Sequence, residues 1–144
     1  MLVARALSLL TTMVIPMAAN PASPSAAPVT DAARREAILA AARAPAEKEL
    51  ATPVRLGVRS VNAAGDWAFV LADLEGSDGR PFDYAKTPKA EAAQQGLLSR
   101  RYAALLKLEN GKWTVVDERV GPTDPAWLGW SAKHGAPEDL FATD

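Results

Sequence analysis

Two strand-like segments joined by an Asn-Gly dipeptide constrain the fold of this chain more than any other feature. The segments cover residues 102–108 and 113–120 and flank Asn110-Gly111. This dipeptide readily adopts the positive φ angles that a type I′ turn requires. Such a turn joins neighbouring antiparallel strands and sets their register. The sequence therefore predicts a β-hairpin here.

A second hairpin is predicted earlier in the chain. Apolar and other residues alternate over 54–59, and a nearly continuous apolar run follows at 67–74. Alternation is typical of a strand with one face on a core, whereas a short continuous apolar run indicates a strand covered on both faces. Residues 63–66 (AAGD) have the composition of a turn, so we expect these two strands to pair.

Helical segments are predicted on either side of the first hairpin. Thr30 and Asp31 are candidate N-caps, and apolar residues follow at helical spacing as far as Ala46. Pro45 lacks an amide hydrogen, which predicts a kink or a break, followed by a last turn as far as Leu50 before Pro53 ends the helix. A shorter helix is predicted over 89–95, ending at Gly96.

The order of these elements predicts the fold class. Helices that are segregated from consecutive antiparallel strands indicate an α+β fold. We expect the N-terminal helix to pack on a curved antiparallel sheet of about four strands. The C-terminal tail is expected to dock on the sheet through Trp127, Leu128, Leu140 and Phe141.

The N-terminus has the composition of a secretory signal peptide. Arg5 precedes an apolar run from Ala6 to about Ala19, which is shorter than the roughly 20 residues that cross a bilayer as a helix. We predict a signal peptide over 1–19, a flexible Pro/Ala/Ser spacer over 20–29 and a single domain over 30–144. An uncleaved short anchor is the alternative. In either case we expect the folded part to lie outside the inner membrane of a bacterium, as a periplasmic or secreted protein. If the signal peptide is cleaved, we expect no stable membrane insertion.

The segments GDWAFV (65–70), YAALLKLENGKWTVV (102–116) and GPTDPAWLGW (121–130) carry a family resemblance. In this order they resemble small exported bacterial domains of the cystatin-like and NTF2-like superfamily. The resemblance implies a helix lying across a strongly bent antiparallel sheet, whose open face often pairs in a homodimer. Catalytic members of the superfamily use a pocket Asp with Tyr or His, and neither pair maps onto defined positions here.

Composition excludes several kinds of chemistry. The chain has no cysteine and one histidine, which excludes a disulfide framework, a thiolate nucleophile and a multi-histidine metal site. Without Arg5 the chain carries 15 basic and 17 acidic residues, so no electrostatic footprint for nucleic acid is present. The serines lie in neither a GxSxG nor an SxxK motif. We assign no catalytic residue, no metal and no cofactor.

Two surfaces are predicted to carry recognition. The insertion over 75–95 is longer than a usual connection between strands, and long loops on rigid sheets often bind partners. The tail offers two tryptophans at i and i+3, which would share one face of a helical turn as an aromatic platform. The candidate binding residues are Asp78, Arg80 and Tyr84 of the insertion and Trp127, Trp130 and His134 of the tail.

The tail residues also have a structural interpretation, which the sequence favours. Trp127 and Trp130 would then be buried in the sheet and anchor the tail. The only histidine, His134, would be exposed or would order the tail. As a general base it needs an orienting carboxylate, for which Asp124, Glu138 or Asp139 are the candidates.

The leading prediction for function is an exported, non-catalytic module of the cell envelope that binds a protein, peptide or glycan. The first alternative is a small NTF2-like enzyme acting on a hydrophobic ligand. Its base would be Asp66 or Asp73, with Tyr84 or Tyr102 as hydrogen-bond donor. It requires an enclosed pocket and a carboxyl group of raised pKa, and a helix packed flush on the sheet argues against it. The second alternative is a structural dimerisation domain.

Overall fold

In the computed structural model, which describes residues 25–143, one antiparallel sheet is covered by helical segments on both faces. The predicted signal peptide and residues 20–24 of the predicted spacer lie outside the described residues. The strands follow one another across the sheet in chain order: β1 (Ala27–Pro28), β2 (Arg55–Ala64), β3 (Trp67–Glu75), β4 (Arg101–Glu109) and β5 (Lys112–Val120). The helices are α1 (Ala32–Leu50), α2 (Ala90–Gln94) and α3 (Trp130–His134), with 3₁₀ turns at Ala126–Gly129 and Glu138–Phe141.

The sheet has five strands instead of the predicted four or so, because part of the predicted spacer joins it. Ala27 and Pro28 pair with Ala63 and Asn62 of β2. The amide of Val29 then donates a hydrogen bond to the carbonyl of Val61 at 2.9 Å. These contacts satisfy backbone groups at the edge of β2 that would otherwise be open. The α+β class is confirmed, and the sheet begins earlier in the chain than expected.

Helix α1 begins at its predicted cap and ends at Leu50 as predicted, but without a break at Pro45. The Asp31 side chain accepts a hydrogen bond from the Ala33 amide at 3.0 Å. The helix runs unbroken through Pro45 to Leu50. Proline costs the helix one hydrogen bond, and burial of one side of α1 against the sheet offsets this loss. The fully buried residues of α1 are Ile38, Ala42, Ala46 and Leu50.

Both predicted hairpins are present. Asn110 and Gly111 have φ angles of 52° and 75° between β4 and β5, as the turn type requires. The β2–β3 hairpin turns at Gly65-Asp66. Strand β2 continues through Ala64, beyond the alternating pattern that predicted it.

A β-bulge in β5 determines which face of the sheet its acidic residues occupy. The register between β4 and β5 shifts by one residue at Val116. A bulge inserts one extra residue, so the alternation of side chains is inverted beyond it. As a result, Asp117 faces the C-terminal tail and Glu118 faces α1. Strict alternation from Trp113 would place them the other way round.

The tail fills the face of the sheet opposite α1. Phe69 of β3 contacts three tail aromatics, with ring centroids 5.0 to 6.3 Å apart. The predicted docking is confirmed for three residues, Trp127, Leu140 and Phe141, all of which are buried. It is wrong for Leu128, which is 65% exposed. Apolar cores therefore lie on both faces of the sheet.

Candidate functional site

The insertion between β3 and β4 is held down by two buried aromatic residues. Phe82 and Tyr84 pack edge to face, with ring centroids 5.1 Å apart. The Tyr84 hydroxyl donates a hydrogen bond to the Ser99 carbonyl at 2.6 Å. Burial raises the pKa of Tyr84 to about 12. The structure thus places Tyr84, a predicted binding residue, in the core beneath the insertion.

The tip of the insertion is exposed and locally ordered. The Asp78 carboxylate accepts a hydrogen bond from the Arg80 amide at 3.0 Å, and the Gly76 amide donates to the Arg80 carbonyl at 2.8 Å. The side chains of Asp78 and Arg80 are 62% and 85% exposed. Both predicted residues are therefore accessible to a partner.

A groove of about 700 Å³ runs between this tip and the connection from α1 to β2. Its walls carry acidic, basic and hydroxyl side chains, and its floor includes the buried ring of Phe82. The polar lining residues are Thr52, Ser77, Asp78, Arg80, Asp83, Lys86 and Thr87. The arrangement can present hydrogen-bond donors and acceptors along an extended ligand.

A pair of carboxyl groups lies where α1, β5 and the insertion meet. Glu49 comes from the last turn of α1, and Glu118 comes from β5 just beyond the bulge. The Oε2 atom of Glu118 is buried and has no hydrogen-bond partner among the described residues. Burial, followed by the neighbouring Glu49 carboxylate, raises the pKa of Glu118 to about 7. Sequence reasoning missed this pair, because β5 carries Asp117, Glu118 and Arg119 in succession and nothing in that run marks Glu118 as the residue that faces α1.

Lys89 of the insertion completes the pair. Its Nζ lies 2.8 Å from Oε1 of Glu49, and the side chains of Lys89 and Glu49 are 29% and 34% exposed. Burial alone would raise the pKa of Glu49, but hydrogen bonding with Glu118 and the Lys89 ammonium lower it on balance. The cluster thus holds one ionised carboxylate, Glu49, beside one carboxyl group that titrates near neutrality.

Tyr102 of β4 closes the cluster from the sheet side. Its ring is fully buried, and burial raises the pKa of its hydroxyl. The hydroxyl donates a hydrogen bond to the Ala42 carbonyl of α1 at 2.7 Å. Toward Glu118, Tyr102 can therefore only accept a hydrogen bond.

The enzyme alternative named other carboxylates, and the structure places both elsewhere. Asp66 is exposed in the β2–β3 turn. Asp73 lies on the tail side of β3 and pairs with Arg59 at 2.7 Å and Arg101 at 3.3 Å. The carboxyl group beside a buried tyrosine is Glu118 instead. Helix α1 packs flush on the sheet, and Glu118 lines none of the five clefts described.

His134 pairs with a carboxylate that the sequence did not indicate. Its Nε2 lies 2.7 Å from Oδ2 of Asp117, and the Lys133 Nζ lies 3.0 Å from the same oxygen. Burial alone would raise the pKa of Asp117, but hydrogen bonds from His134 and Lys133 lower it on balance. The predicted orienting residues, Asp124, Glu138 and Asp139, are not its partners. The bulge in β5 is what turns Asp117 toward the tail.

The two tail tryptophans anchor the tail and do not form an exposed platform. Trp127 is 8% exposed and Trp130 is 4% exposed. Both rings pack against Phe69 of the sheet. Because most of each ring is covered by the core, the two rings do not form the shared aromatic platform that their spacing allowed.

The six predicted binding residues do not converge on one site. Tyr84 belongs to the core beneath α1, whereas Trp127 and Trp130 belong to the core on the opposite face of the sheet. Asp78 and Arg80 share the groove of the insertion. His134 lies on the tail side with Asp117.

Comparisons of the chain with protein-family models, with curated proteins and with solved structures found no match. Within residues 25–143, His, Cys, Asp and Glu side chains form no group of three or more suited to a metal ion. The same range contains no helix with the length and apolar character needed to span a bilayer.

Proposed function

We propose that this protein is an exported bacterial module, periplasmic or secreted, that binds a protein, peptide or glycan of the cell envelope without catalysis. The observation that carries the proposal is the 700 Å³ groove of the insertion, with exposed Asp78 and Arg80 on its wall. Both faces of the sheet are filled by apolar cores. We therefore expect a ligand to bind to the loops, and the insertion is a long loop between two strands of a rigid sheet.

The lining of the groove favours a polar, extended ligand of low net charge. Asp78 and Asp83 are balanced by Arg80 and Lys86 on the same walls. Such a mixed lining gives no strong attraction to a polyanion, but it offers paired donors and acceptors to amide or hydroxyl groups. A peptide backbone and a glycan chain both carry these groups.

The fold supports a place for the domain in the cystatin-like and NTF2-like superfamily, which we propose as its origin. One long helix lies across an antiparallel meander, as in that superfamily. Register shifts interrupt β2 near Arg59 and β5 at Val116, and such bulges bend a strand. A bent sheet beneath a single helix is the arrangement that the sequence resemblance implies.

An NMR titration of the ¹⁵N-labelled protein tests the binding proposal. Short peptides, cell-wall muropeptides and oligosaccharides are added separately at millimolar concentration. We expect one class to shift the amide signals of residues 76–87. The changes Arg80→Ala and Lys86→Ala should each weaken that ligand by roughly tenfold, the effect of losing one charge-assisted hydrogen bond. Lys112→Ala, at the β4–β5 turn, is the matched control and should leave the affinity unchanged. Absence of any shift at 76–87 with all three classes contradicts the proposal.

The enzyme alternative keeps one supporting observation. Glu118 lies beside Tyr102, and a carboxyl group with a pKa of about 7 is suited to acid–base chemistry near neutral pH. If the protein turns over a hydrophobic substrate and Glu118→Gln abolishes this turnover, the enzyme alternative replaces the binding module. Dimerisation through the sheet face has less support, because the tail covers that face.

A further inference from the structure

We propose that the ligand of this module is an extended peptide, which adds a strand to the open edge of β2 and carries an acidic residue that meets Arg35. Naming a peptide as the ligand rests on the proposed function, because the groove of the insertion adjoins this edge. Thr52 and Pro53, which line the groove, lie just before β2 in the chain. A peptide in the groove can therefore continue along the strand.

The outer edge of β2 is only partly covered. Strand β1 pairs with it at Asn62 and Ala63. The chain then leaves the edge and enters α1 at Ala32. Within residues 25–143 no further strand lies on this side of β2. The edge over residues 55–60 is therefore without a neighbouring strand, although the pairing of β1 shows that this side of β2 accepts one.

Leu56 and Val58 direct their backbone groups to the open edge. Successive residues of an antiparallel strand point their amide and carbonyl groups alternately to opposite sides. Leu74 of β3 donates to the Arg100 carbonyl on the β4 side, so Leu56, which lies opposite Leu74, points away from β3. Val58, opposite Ala72, points the same way. Two donors and two acceptors are thus available to an added strand.

One flank of α1 forms a wall beside this edge. Arg35 lines a recess together with Ser60 of β2. Further along the helix, Glu47 accepts a hydrogen bond from the Val54 amide at 3.3 Å. Helix residues four apart share a flank, so Leu39 lies on the same flank between these two contacts. The wall therefore follows the open edge from one end to the other.

A strand added here presents alternate side chains to this wall. The peptide residues that bond to Leu56 and Val58 lie opposite them and share their face of the sheet. Both side chains pack only partly against the core beneath α1, as does Leu39. Apolar peptide residues at these positions would cover that apolar surface. The intervening peptide residues face the other side of the sheet, where Arg55 lies opposite Glu75.

Arg35 favours an acidic residue at one end of the peptide. Arg35 and Arg59 line the recess of about 370 Å³ where β1 leaves the edge. Arg59 pairs with Asp73 at 2.7 Å, whereas Arg35 forms no ion pair within the described part of the chain. The carboxylate that also lines the recess, Asp139, accepts a hydrogen bond from the Ala26 amide. A ligand carboxylate would give the Arg35 guanidinium a charge-assisted hydrogen bond.

The capped peptide Asp-Thr-Val-Thr-Val-Thr is the probe that tests strand addition. In antiparallel pairing along the line of β1, its aspartate reaches Arg35 and its valines lie opposite Val58 and Leu56. NMR of the ¹⁵N-labelled protein follows exchange of the Leu56 and Val58 amide hydrogens with water. At about ten times Kd, we expect both amides to exchange roughly tenfold more slowly than in the free protein.

Two N-methylated forms of the probe test the backbone pairing without changing the protein. Methyl groups on the aspartate and valine amides remove the donors that face β2 and should abolish binding. Methyl groups on the threonine amides, which face away, should leave the affinity nearly unchanged.

A third probe and two variants test the role of Arg35. Lysine in place of the aspartate should weaken binding to the wild type by roughly tenfold, the effect of losing one charge-assisted hydrogen bond. Arg35→Ala should remove this discrimination between the two probes. Arg119→Ala, which changes an exposed arginine of β5, is the matched control and should retain it.

Strand addition is overturned if the two methylated probes bind equally, or if the Leu56 and Val58 amides are not slowed. Equal affinity for the aspartate and lysine probes overturns the role of Arg35. A glycan that shifts the amide signals of residues 76–87, while the peptide probe does not bind, overturns strand addition and leaves the proposed function intact. Conversely, slowed exchange at β2 without any shift at 76–87 supports strand addition and contradicts the groove.

Discussion

At the scale of single residues, Gly121 shows how closely the insertion is fitted to the end of β5. Its φ angle is +68°, and a Cβ there would lie 2.9 Å from the Ser99 carbonyl oxygen and 3.0 Å from the Tyr84 hydroxyl. We expect Gly121→Ala to cost about 2–4 kcal/mol, combining left-handed backbone strain with overpacking. Gly96→Ala is the control for strain alone, since Gly96 has φ +73° and open space around it, and should cost about 1 kcal/mol. Urea unfolding measures the loss of stability in both variants. Equal losses would show that contact of the new Cβ with Ser99 and Tyr84 does not contribute.

At the scale of elements, the C-terminal tail depends on its two buried tryptophans. Trp130 is 4% exposed and contacts Phe69 and Phe141. We expect Trp130→Ala to lower the free energy of unfolding by about 3–5 kcal/mol, because it removes a large ring from a packed core. Leu128→Ala, in the same segment but 65% exposed, should change it by less than about 0.5 kcal/mol. Chemical denaturation compares the two, and a loss below about 1 kcal/mol for Trp130→Ala would show that the tail does not depend on this ring.

At the scale of the whole molecule, Asp117 and Glu118 of β5 and Glu49 of α1 shape the dependence of stability on pH. The raised pKa of Glu118 means that its stabilising contribution is complete below its ordinary value of 4.5 and is lost as pH rises through about 7. The lowered pKa values of Asp117 and Glu49 act in the opposite sense, because their contributions are lost as pH falls through the folded values. We therefore expect greatest stability at weakly acidic pH. Urea midpoints should fall between pH 5 and pH 8 in the wild type and stay nearly level in Glu118→Gln. A wild-type midpoint that rises over this range would contradict the assignment.

Much of the secondary structure could be predicted, because its signals are local. The Asp31 cap, the Asn110-Gly111 turn and the short helix before Gly96 each depend on residues within a few positions of one another. The errors occurred where packing outweighed a local preference. Helix α1 passes through Pro45 because one of its sides is buried along its length. Ala27 and Pro28 form a strand because β2 offers them an edge.

The candidate site was predicted only in part. The insertion and its exposed residues Asp78 and Arg80 were indicated by loop length and composition, which are properties of the sequence. The sequence named carboxylate partners for His134 only in case it acts as a general base, and the carboxylate that His134 contacts in the structure is Asp117 rather than a neighbour in the tail. The choice of partner follows from the face on which each β5 side chain lies.

The helix cap, the turns and the alternation of the strands could be predicted from the sequence alone, because each arises from interactions between residues close in sequence. The meeting of Glu49, Glu118 and Lys89 was decided by tertiary structure. One extra residue at Val116 reverses which face of the sheet each later side chain of β5 occupies. The sequence pattern does not reveal this reversal, because Asp117 and Glu118 are both acidic and one of them lies on each face. The environment that raises the pKa of Glu118 is likewise assembled from three distant segments of the chain, α1, β5 and the insertion, which come together only when the helix lies on the sheet.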